Sequence, residues 1–409
     1  MTGWLSSDQK IIFHRIRVLD ESPRCKKSFT LASQDFTCVQ PKIFTFARHL
    51  QLMKPYAKLF ATVIALALSL ATVLPASATE RADLPPASAF MKGVAYTAWS
   101  RTAYSSSGSN RTLSQQIKPM GVTWISLLVT CYQEKAASTQ IVCDSRKGYT
   151  PSDESLTYVI RYAHSLGMRV MLKPHVDLTN DPSQWRGSIN FGSNEGAWKA
   201  WFDSYTQFIT HYAALAQTAG ADYFVIGTEM QGTSHRADQW RGVIKAVRAV
   251  YSGPVTYAAN WGEEENVQWW DALDAIGVDA FNKLTEADNP TVEQLKSAWQ
   301  PIAARLEQLS QKWNRPIIFT EVGYRSINGA NREPWESGKV GTVDLQEQAD
   351  CYQALFETFN GKSWWRGVFW WNWEPLPDQG GAKDRGFTAN NKPAEDVLRF
   401  YYGASPRKK

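Results

Sequence analysis

The sequence predicts an α/β fold with a single domain, a (β/α)8 barrel over residues 91–405. Eight short apolar segments alternate with longer amphipathic segments, which is typical of strands and helices around a parallel sheet. The short segments are rich in β-branched and aromatic residues, as strands buried on both faces are. An open dinucleotide-binding sheet usually has a glycine-rich turn after its first strand, whereas the segment here, TAWSRTAYSSSGS, has no G-x-G-x-x-G pattern.

Each predicted element follows from this alternation. Strands are predicted at 93–98, 123–129, 169–173, 223–227, 255–259, 277–281, 317–320 and 367–371. Amphipathic helices are predicted at 152–166, 198–219, 237–250 and 292–313, among others. Gly167 and Gly220 follow two of these helices, where a glycine cap ends a helix, and Pro290 precedes the last one.

The first 90 residues are interpreted as a leader that precedes the barrel. Residues 53–78 combine Lys54 and Lys58 with an uncharged apolar run and an Ala-Ser-Ala cleavage site, which predicts a secretory signal peptide. We therefore expect a secreted or periplasmic protein with no stable membrane contact after cleavage; an uncleaved N-terminal anchor is the alternative. Residues 1–52 are interpreted as a spurious or disordered extension, and residues 79–90 as a linker.

Charge and composition exclude several classes of protein. Residues 1–78 hold 10 of the 44 Lys and Arg but 4 of the 39 Asp and Glu, so the rest of the chain is close to neutral. A nucleic-acid partner therefore has no electrostatic support. With 44% hydrophobic and 20% charged residues, the chain is not intrinsically disordered. Tryptophan is abundant, and 17 of the 18 lie beyond residue 78.

Three cysteines follow the leader. Cys131 and Cys143 lie in one predicted loop region and can pair in an oxidising compartment. Cys351 lies in a helical pattern and is expected to be a buried apolar side chain. The sequence has no Cys-x-x-Cys or His-Glu-x-x-His motif, and the four histidines after the leader are scattered, so no metal site is expected.

Two glutamates end predicted strands on opposite sides of the barrel. Glu229 ends the fourth segment, YFVIGTE, and Glu321 ends the seventh, PIIFTE. Period-two alternation places them on the same faces as Gly227 and Phe319, and we interpret these faces as the barrel interior. Active sites of such barrels lie at the carboxyl ends of the strands, and glycoside hydrolysis requires two carboxyl groups that flank one bond. The sequence therefore predicts catalysis by Glu229 and Glu321, with no organic cofactor.

Six segments carry a resemblance to a known family: KGVAYTAWS (92–100), VMLKPHVD (170–177), FVIGTEMQGTSHR (224–236), TYAANWGEE (256–264), IIFTEVGYRS (317–326) and GVFWWNWEP (367–375). In these segments the chain resembles glycoside hydrolase family 113, a clan A family of (β/α)8 glycosidases related to β-mannanases. The resemblance implies a retaining mechanism with Glu229 as acid/base and Glu321 as nucleophile. It also implies a β-linked polysaccharide or oligosaccharide as substrate, with β-1,4-mannan as the first expectation.

The chain departs from the family pattern at two places. Thr228 precedes the acid/base position, where many clan A enzymes have an Asn that contacts the sugar 2-hydroxyl. The sixth strand segment reads DAFNKL where family members tend to read Asp-Ala-Tyr-Tyr-Pro-Leu, so Phe281 lacks a hydroxyl that commonly binds the nucleophile. A β-glycosidase of different sugar specificity, or a carbohydrate-binding barrel with weak or lost turnover, therefore remains an alternative. A serine hydrolase is disfavoured because no G-x-S-x-G motif occurs.

Polar and aromatic residues near the predicted strand ends are expected to bind the sugar, since indole rings pack on the C–H faces of sugars. Trp370 and Trp371 must face opposite ways, so one of them is expected to pack between barrel and helices. The acidic run 263–265 is interpreted as a solvated helix start. The predicted substrate-binding residues are Tyr96, Trp99, His175, Asp177, Asn260, Trp261, Asn282, Tyr324, Trp371 and Trp373.

Overall fold

A computed structural model describes residues 84, 88–144, 146 and 148–407. The predicted extension and signal peptide lie outside these residues, as does most of the predicted linker. Among the described residues, no helix is both long enough and apolar enough to span a bilayer.

Nine strands form one sheet in the described part of the chain. They are β1 (Met91–Tyr96), β2 (Trp124–Gln133), β3 (Ile141–Val142), β4 (Arg169–Leu178), β5 (Tyr223–Thr228), β6 (Val255–Asn260), β7 (Ile276–Asp279), β8 (Ile317–Val322) and β9 (Trp365–Trp373). The sheet order is β1-β9-β8-β7-β6-β5-β4-β2-β3, and a parallel pairing of β1 with β2 closes it. Eight strands therefore form a closed parallel barrel, and only the short β3 lies outside it, antiparallel to β2.

Helices between the strands complete a (β/α)8 barrel, as predicted. They are α1 (Ser107–Arg111), α2 (Asp153–Ser165), α3 (Glu195–Ala219), α4 (Ala237–Arg248), α5 (Val292–Trp313), α6 (Leu345–Phe359) and α7 (Pro393–Tyr402). The prediction for α5 matches both of its bounds. Thr291 and Gln294 form a capping box at its start, and Asn314 ends it in a left-handed conformation.

Apolar side chains fill the barrel interior away from the carboxyl ends of the strands. The interior cluster consists of Met91, Trp124, Met171, Tyr223, Val225, Ala258, Ala275, Ile318 and Phe369. Gly93 makes room for this layer, because a Cβ at Gly93 would lie 2.4 Å from the Phe369 ring. Since this end is packed, the polar side chains of the interior are confined to the carboxyl ends of the strands.

The sequence prediction that Gly227 of β5 faces the barrel interior was wrong. Between Val225 and Thr228, β5 has one more residue than its neighbour β6 has, which is a β-bulge. Gly227 therefore faces the helices, where an added Cβ would lie 2.8 Å from the hydroxyl of Tyr205 on α3. Glu229 lies just after β5 and has a φ of +53°, so strand alternation does not fix its direction, and its side chain lines the cleft at the barrel mouth.

A second bulge, in β8, also changes which residues of the strand face the barrel interior. Phe319 and Glu321 pair with consecutive residues of β7, so one extra residue of β8 lies between them. Ile318 belongs to the barrel interior, whereas Phe319 packs outward against Trp299 of α5. The predicted interior position of Phe319 was therefore wrong, and the orientation of Glu321 depends on the bulge rather than on simple alternation.

A disulfide bond between Cys131 and Cys143 links the carboxyl end of β2 to the residue after β3. This pairing was one of the possibilities that the sequence left open. Cys351 is a free, buried cysteine, as predicted. The disulfide fixes the β2–β3 hairpin at the same end of the barrel as the carboxyl ends of the strands.

Replacing both Cys131 and Cys143 with serine is expected to lower the free energy of unfolding by about 3 kcal/mol, because a crosslink over a short loop reduces the entropy of the unfolded chain. Urea denaturation of the oxidised wild type and of the double variant measures this difference. A reductant should lower the melting temperature of the wild type alone. Equal stability of the two oxidised proteins would contradict a stabilising disulfide.

Candidate active site

A cleft with polar and aromatic walls lies at the carboxyl ends of the barrel strands. Its volume is about 330 Å³. Glu229 follows β5 and Glu321 lies in β8, so side chains from two separate barrel strands meet in one space. The cleft is lined by His175, Trp185, Arg186, Glu229, Asn260, Trp261, Phe281, Glu321, Trp335, Glu336, Ser337, Trp371 and Phe387.

Glu321 is buried at the floor of the cleft and contacts two groups from β4. The ammonium of Lys173 donates a hydrogen bond to Oε1 of Glu321. Nε2 of His175 lies 3.5 Å from the same oxygen. Burial, with Lys173 and Arg186 nearby, lowers the pKa of His175 well below its ordinary value, so the imidazole is neutral at pH 7. Lys173 is therefore the charged partner of Glu321.

Lys173 also binds a second carboxylate deeper in the barrel. Its Nζ lies 3.0 Å from both carboxylate oxygens of Asp279 at the end of β7, and both side chains are 0% exposed. Thr320 donates a hydrogen bond of 2.7 Å to Asp279. One cation is thus shared by two acids, so charges from β4, β7 and β8 are held at fixed positions beneath the cleft.

Glu229 is held by a separate ionic contact. Nη1 of Arg186 donates to Oε2 of Glu229 at 2.5 Å, and Nε of Arg186 donates to Oδ1 of Asp177 at 3.0 Å. Arg186 follows β4 in a short 3-10 helix, Arg186–Ser188. Asp177 therefore orients the guanidinium, and the guanidinium orients Glu229.

Burial raises the pKa of Glu229 above its ordinary value and the pKa of Glu321 well above it. For Glu321, the negative charges of Asp279 and Glu229 act in the same direction, while Lys173 opposes them. For Glu229, Arg186 opposes the effect of burial. The two carboxyl groups are thus electrostatically coupled, so a change in the charge of one shifts the pKa of the other.

The acidic run 263–265 is not a solvated helix start, which corrects the sequence prediction. Glu263 is 0% exposed, and Glu264 is buried against Arg305 at 3.2 Å. Glu263 accepts hydrogen bonds from the hydroxyl of Tyr257 at 2.6 Å and from the backbone N–H of Asn260 at 2.9 Å. Burial raises the pKa of Glu263 to about 8. Glu263 and Glu264 pack behind the carboxyl ends of β5 and β6, whereas Glu265 is exposed.

Aromatic side chains form the walls of the cleft. Trp261 stacks on Trp335, with ring centroids 5.1 Å apart and an interplanar angle of 23°. Trp371 lines the cleft, whereas Trp370 stacks on Tyr352 of α6, so the two adjacent tryptophans face opposite ways as predicted. Such walls suit a ligand that presents flat C–H faces along with hydroxyl groups.

Four of the ten predicted substrate-binding residues line the cleft: His175, Asn260, Trp261 and Trp371. Three predictions are wrong because the side chains face the helices. Tyr96 is buried and donates to Ser109 at 2.9 Å, and Tyr324 and Trp373 are fully buried in the same outer core. All three lie near a strand end, and a position near a strand end does not fix which face a side chain occupies.

Three further predicted residues lie behind the cleft lining. Asp177 binds Arg186 and is therefore a support for that guanidinium rather than part of the cleft surface. Trp99 packs against a small apolar cluster that includes Trp371 and Phe387. Asn282 is buried and lies outside the residues that line the cleft.

Sequence reasoning missed several residues that the fold brings to the site. Lys173 is a charged residue within the third predicted strand, which is apolar and corresponds to β4. Asp279 is an acidic residue within the sixth predicted strand, which corresponds to β7. A charge inside a strand that is buried on both faces needs a partner, and that signal points to the pair. Arg186 and Trp335 lie in loops, where periodicity gives no information about position. Among the described residues, no cluster of His, Cys, Asp or Glu is arranged to hold a metal ion.

The sequence profile of Glycoside Hydrolase Family 113 matches residues 94–392. Two structures of GH113 β-1,4-mannanase, one of them a complex, share 30% and 31% identity with this chain, with TM-scores of 0.71 and 0.70. Each comparison covers 78% of this chain and 100% of the other. No curated protein sequence matches this chain.

More distant structures share the barrel. The GH113 β-mannanase AaManA from Alicyclobacillus acidocaldarius, in complex with ManMIm, is 28% identical, with a TM-score of 0.69 over 77% of this chain and 98% of its own. A β-glucuronidase from Ruminococcus gnavus is 13% identical, with a TM-score of 0.53 over 77% of this chain and 50% of its own. The second likeness is one of fold alone.

Proposed function

Because the chain belongs to glycoside hydrolase family 113 and is therefore a glycoside hydrolase, we propose that it cleaves β-1,4-mannan with retention of anomeric configuration. One observation carries the proposal: Glu229 and Glu321 line the same cleft from two separate strands of the barrel. Two carboxyl groups on either side of one bond are the requirement for acid-assisted glycoside hydrolysis.

In the first step, a carboxylate oxygen of Glu321 attacks the anomeric carbon, and the bond from that carbon to the leaving sugar oxygen breaks. Glu229 supplies the proton to the departing oxygen. The ammonium of Lys173 donates a hydrogen bond to Glu321 and favours its ionised form, which opposes the effect of burial and prepares the carboxylate for the attack. The products of this step are a glycosyl ester on Glu321 and a free sugar chain.

In the second step, Glu229 removes a proton from water, and the water oxygen displaces Glu321 from the anomeric carbon. Esterification removes the negative charge of Glu321, which lowers the pKa of Glu229 because the two groups are coupled. Arg186, at 2.5 Å, favours the ionised form of Glu229 at this stage. The same side chain therefore acts first as an acid and then as a base.

The lining of the cleft supports a neutral polysaccharide as substrate. Trp261, Trp335 and Trp371 provide apolar faces, and Asn260 and His175 provide polar groups near the carboxyl pair. Arg186, a cation of the lining, is already paired with Asp177 and Glu229, so it is not free to bind an acidic sugar. The mannanase relatives point to mannose as the sugar.

Digestion of a panel of β-1,4-mannan, glucomannan, cellulose and β-1,4-xylan tests the proposal. We expect manno-oligosaccharides from mannan, and ¹H NMR should show the β-anomer of the new reducing end first, because double displacement retains configuration. A Glu229→Gln, Glu321→Gln double variant serves as the inactive control. Early appearance of the α-anomer would contradict retention, and binding of mannan without any hydrolysis would indicate a carbohydrate-binding protein.

We further propose that the protein acts outside the cytoplasm. The apolar run and small-residue site of residues 53–78 are typical of a signal peptide. The Cys131–Cys143 disulfide supports this proposal independently, since such bonds persist mainly in oxidising compartments. A polysaccharide too large to enter a cell is consistent with the same location.

A further inference from the structure

A buried hydrogen-bond relay lies directly behind the end of β5. The hydroxyl of Tyr257 accepts a hydrogen bond of 2.7 Å from the backbone N–H of Met230 and donates one of 2.6 Å to Glu263. Glu263 in turn accepts a hydrogen bond of 2.9 Å from the backbone N–H of Asn260. Tyr257 and Glu263 are both 0% exposed. The relay thus joins the residue after Glu229 to the residue that ends β6.

The backbone at Glu229 needs such support. Its φ of +53° lies in the left-handed region, which is unfavourable for a residue other than glycine. On the preceding side, the N–H of Glu229 donates to the carbonyl of Ala258 at 2.8 Å. On the following side, the hydroxyl of Tyr257 receives the N–H of Met230. Both sides of the unfavourable conformation are therefore held by groups of β6.

The Tyr257 ring is itself fixed by packing. It contacts Trp269 at 5.0 Å and Trp240 at 5.5 Å between ring centroids. The bulge of β5 lies against the same ring, because a Cβ at Gly227 would lie 3.1 Å from it. With the ring held on these sides, the position of its hydroxyl is determined by the barrel rather than by the loop that it supports.

We propose that Tyr257 and Glu263 are positioning residues that set the carboxyl group of Glu229 at the leaving-group oxygen of the substrate. Neither residue lines the cleft, so both act through the backbone of Met230 and Asn260. The inference rests on the proposed role of Glu229 as acid/base. A misplacement of about 1 Å in a catalytic group can cost about 10²-fold in rate, so the orientation of this turn bears on turnover.

An apolar side chain of the same size could not accept the hydrogen bonds that Glu263 accepts. Burying an acid is costly, and Glu263 offsets that cost through its hydrogen bonds from the Tyr257 hydroxyl and the Asn260 backbone N–H. Glu263 is also electrostatically coupled to the site, because the charge of Glu229 contributes to the raised pKa of Glu263. The relay therefore lies close to Glu229. Its hydroxyl and carboxyl groups form directional hydrogen bonds, which can orient the backbone next to Glu229.

Tyr257→Phe tests the proposal, because it removes the hydroxyl and keeps the ring. The measurement is kcat/KM on two aryl β-mannobiosides, one with a phenol leaving group and one with 2,4-dinitrophenol. Phenol needs a proton from Glu229, whereas dinitrophenolate leaves without one. We expect a loss of about 10- to 100-fold on the phenyl substrate, and less than threefold on the dinitrophenyl substrate by the same reasoning.

Tyr205→Phe is the matched control. The hydroxyl of Tyr205 is also buried and donates to the carbonyl of Ile226 at 3.0 Å, but it contacts neither Glu229 nor Met230. We expect this variant to show the same ratio of the two rates as the wild type. Its melting temperature reports how much stability is lost when a buried tyrosine hydroxyl is removed from this part of the barrel.

Glu263→Gln provides a second, independent variant if Tyr257→Phe does not fold. It should produce the same leaving-group-dependent loss, since the amide cannot accept both hydrogen bonds in the same way. Equal losses on the two substrates, or a loss of stability alone with unchanged rates, would overturn the positioning role. A wild-type protein that hydrolyses neither substrate would instead contradict the proposed function.

Discussion

Glu321→Ala is expected to lower kcat/KM on β-1,4-mannan by about 10⁴-fold or more, because formation of the glycosyl ester loses its nucleophile. The fold should persist, since Lys173 keeps its two contacts of 3.0 Å with Asp279 when the glutamate is absent. Initial rates on mannan measure the loss, and thermal unfolding establishes that the variant is folded. Glu264→Gln is a matched control, because Glu264 is also buried but pairs with Arg305 away from the cleft.

A chemical trap distinguishes a nucleophile from an acid. A 2-deoxy-2-fluoro mannoside with an activated leaving group should form a stable ester with the wild type, because the fluorine slows the second step. Mass spectrometry of the digested protein should place the label on the peptide that contains Glu321. A label on another residue, or an alanine variant with activity within tenfold of the wild type, would contradict the assignment.

Lys173→Met is expected to have the largest combined effect on stability and activity. It leaves Asp279 and Glu321 buried without their shared cation, and breaking a buried ion pair in this way costs about 3–5 kcal/mol. The pKa of Glu321 should rise further, because Lys173 is the group that lowers it against burial. Less of the nucleophile is then ionised at a given pH, so the acidic limb of the kcat/KM profile should move to higher pH.

Two comparison variants separate these effects. Lys392→Met removes another fully buried lysine, one that binds Asp384 at 2.7 Å away from the cleft, so it should destabilise the fold without moving the acidic limb. Adding Asp279→Asn to Lys173→Met removes one unpaired charge and should restore part of the stability. An unchanged pH profile in Lys173→Met would contradict a role of this lysine in keeping Glu321 ionised.

Glu229 and Glu321 illustrate how far periodicity can be followed along a strand. Strict alternation placed Glu229 and Glu321 in the cleft, but it also placed Gly227 and Phe319 inside the barrel, where they are not found. The bulges in β5 and β8 each add one residue, so the strict alternation of inward and outward side chains does not continue across the bulge. A bulge depends on pairing with a neighbouring strand, which a single segment does not encode.

The residues around Glu229 and Glu321 were harder to predict than these two glutamates for a related reason. Tyr96 and Tyr324 lie as close to strand ends as His175 does, but they face the helix layer. Arg186 and Trp335 come from loops whose paths depend on what they pack against. Loop residues show no period, and aromatic residues are as common in the core of this barrel as in its cleft.

The amino-acid sequence by itself determined the barrel, because eight buried strands and amphipathic helices leave a repeating hydrophobic pattern. It also determined that two glutamates lie at the active end, since that end is common to all parallel strands. Only the tertiary structure decided that Lys173 lies between Asp279 and Glu321, and that Tyr257 and Glu263 hold the turn after Glu229. These contacts join strands and loops far apart in the chain, so they exist only once the barrel closes and sets their distances.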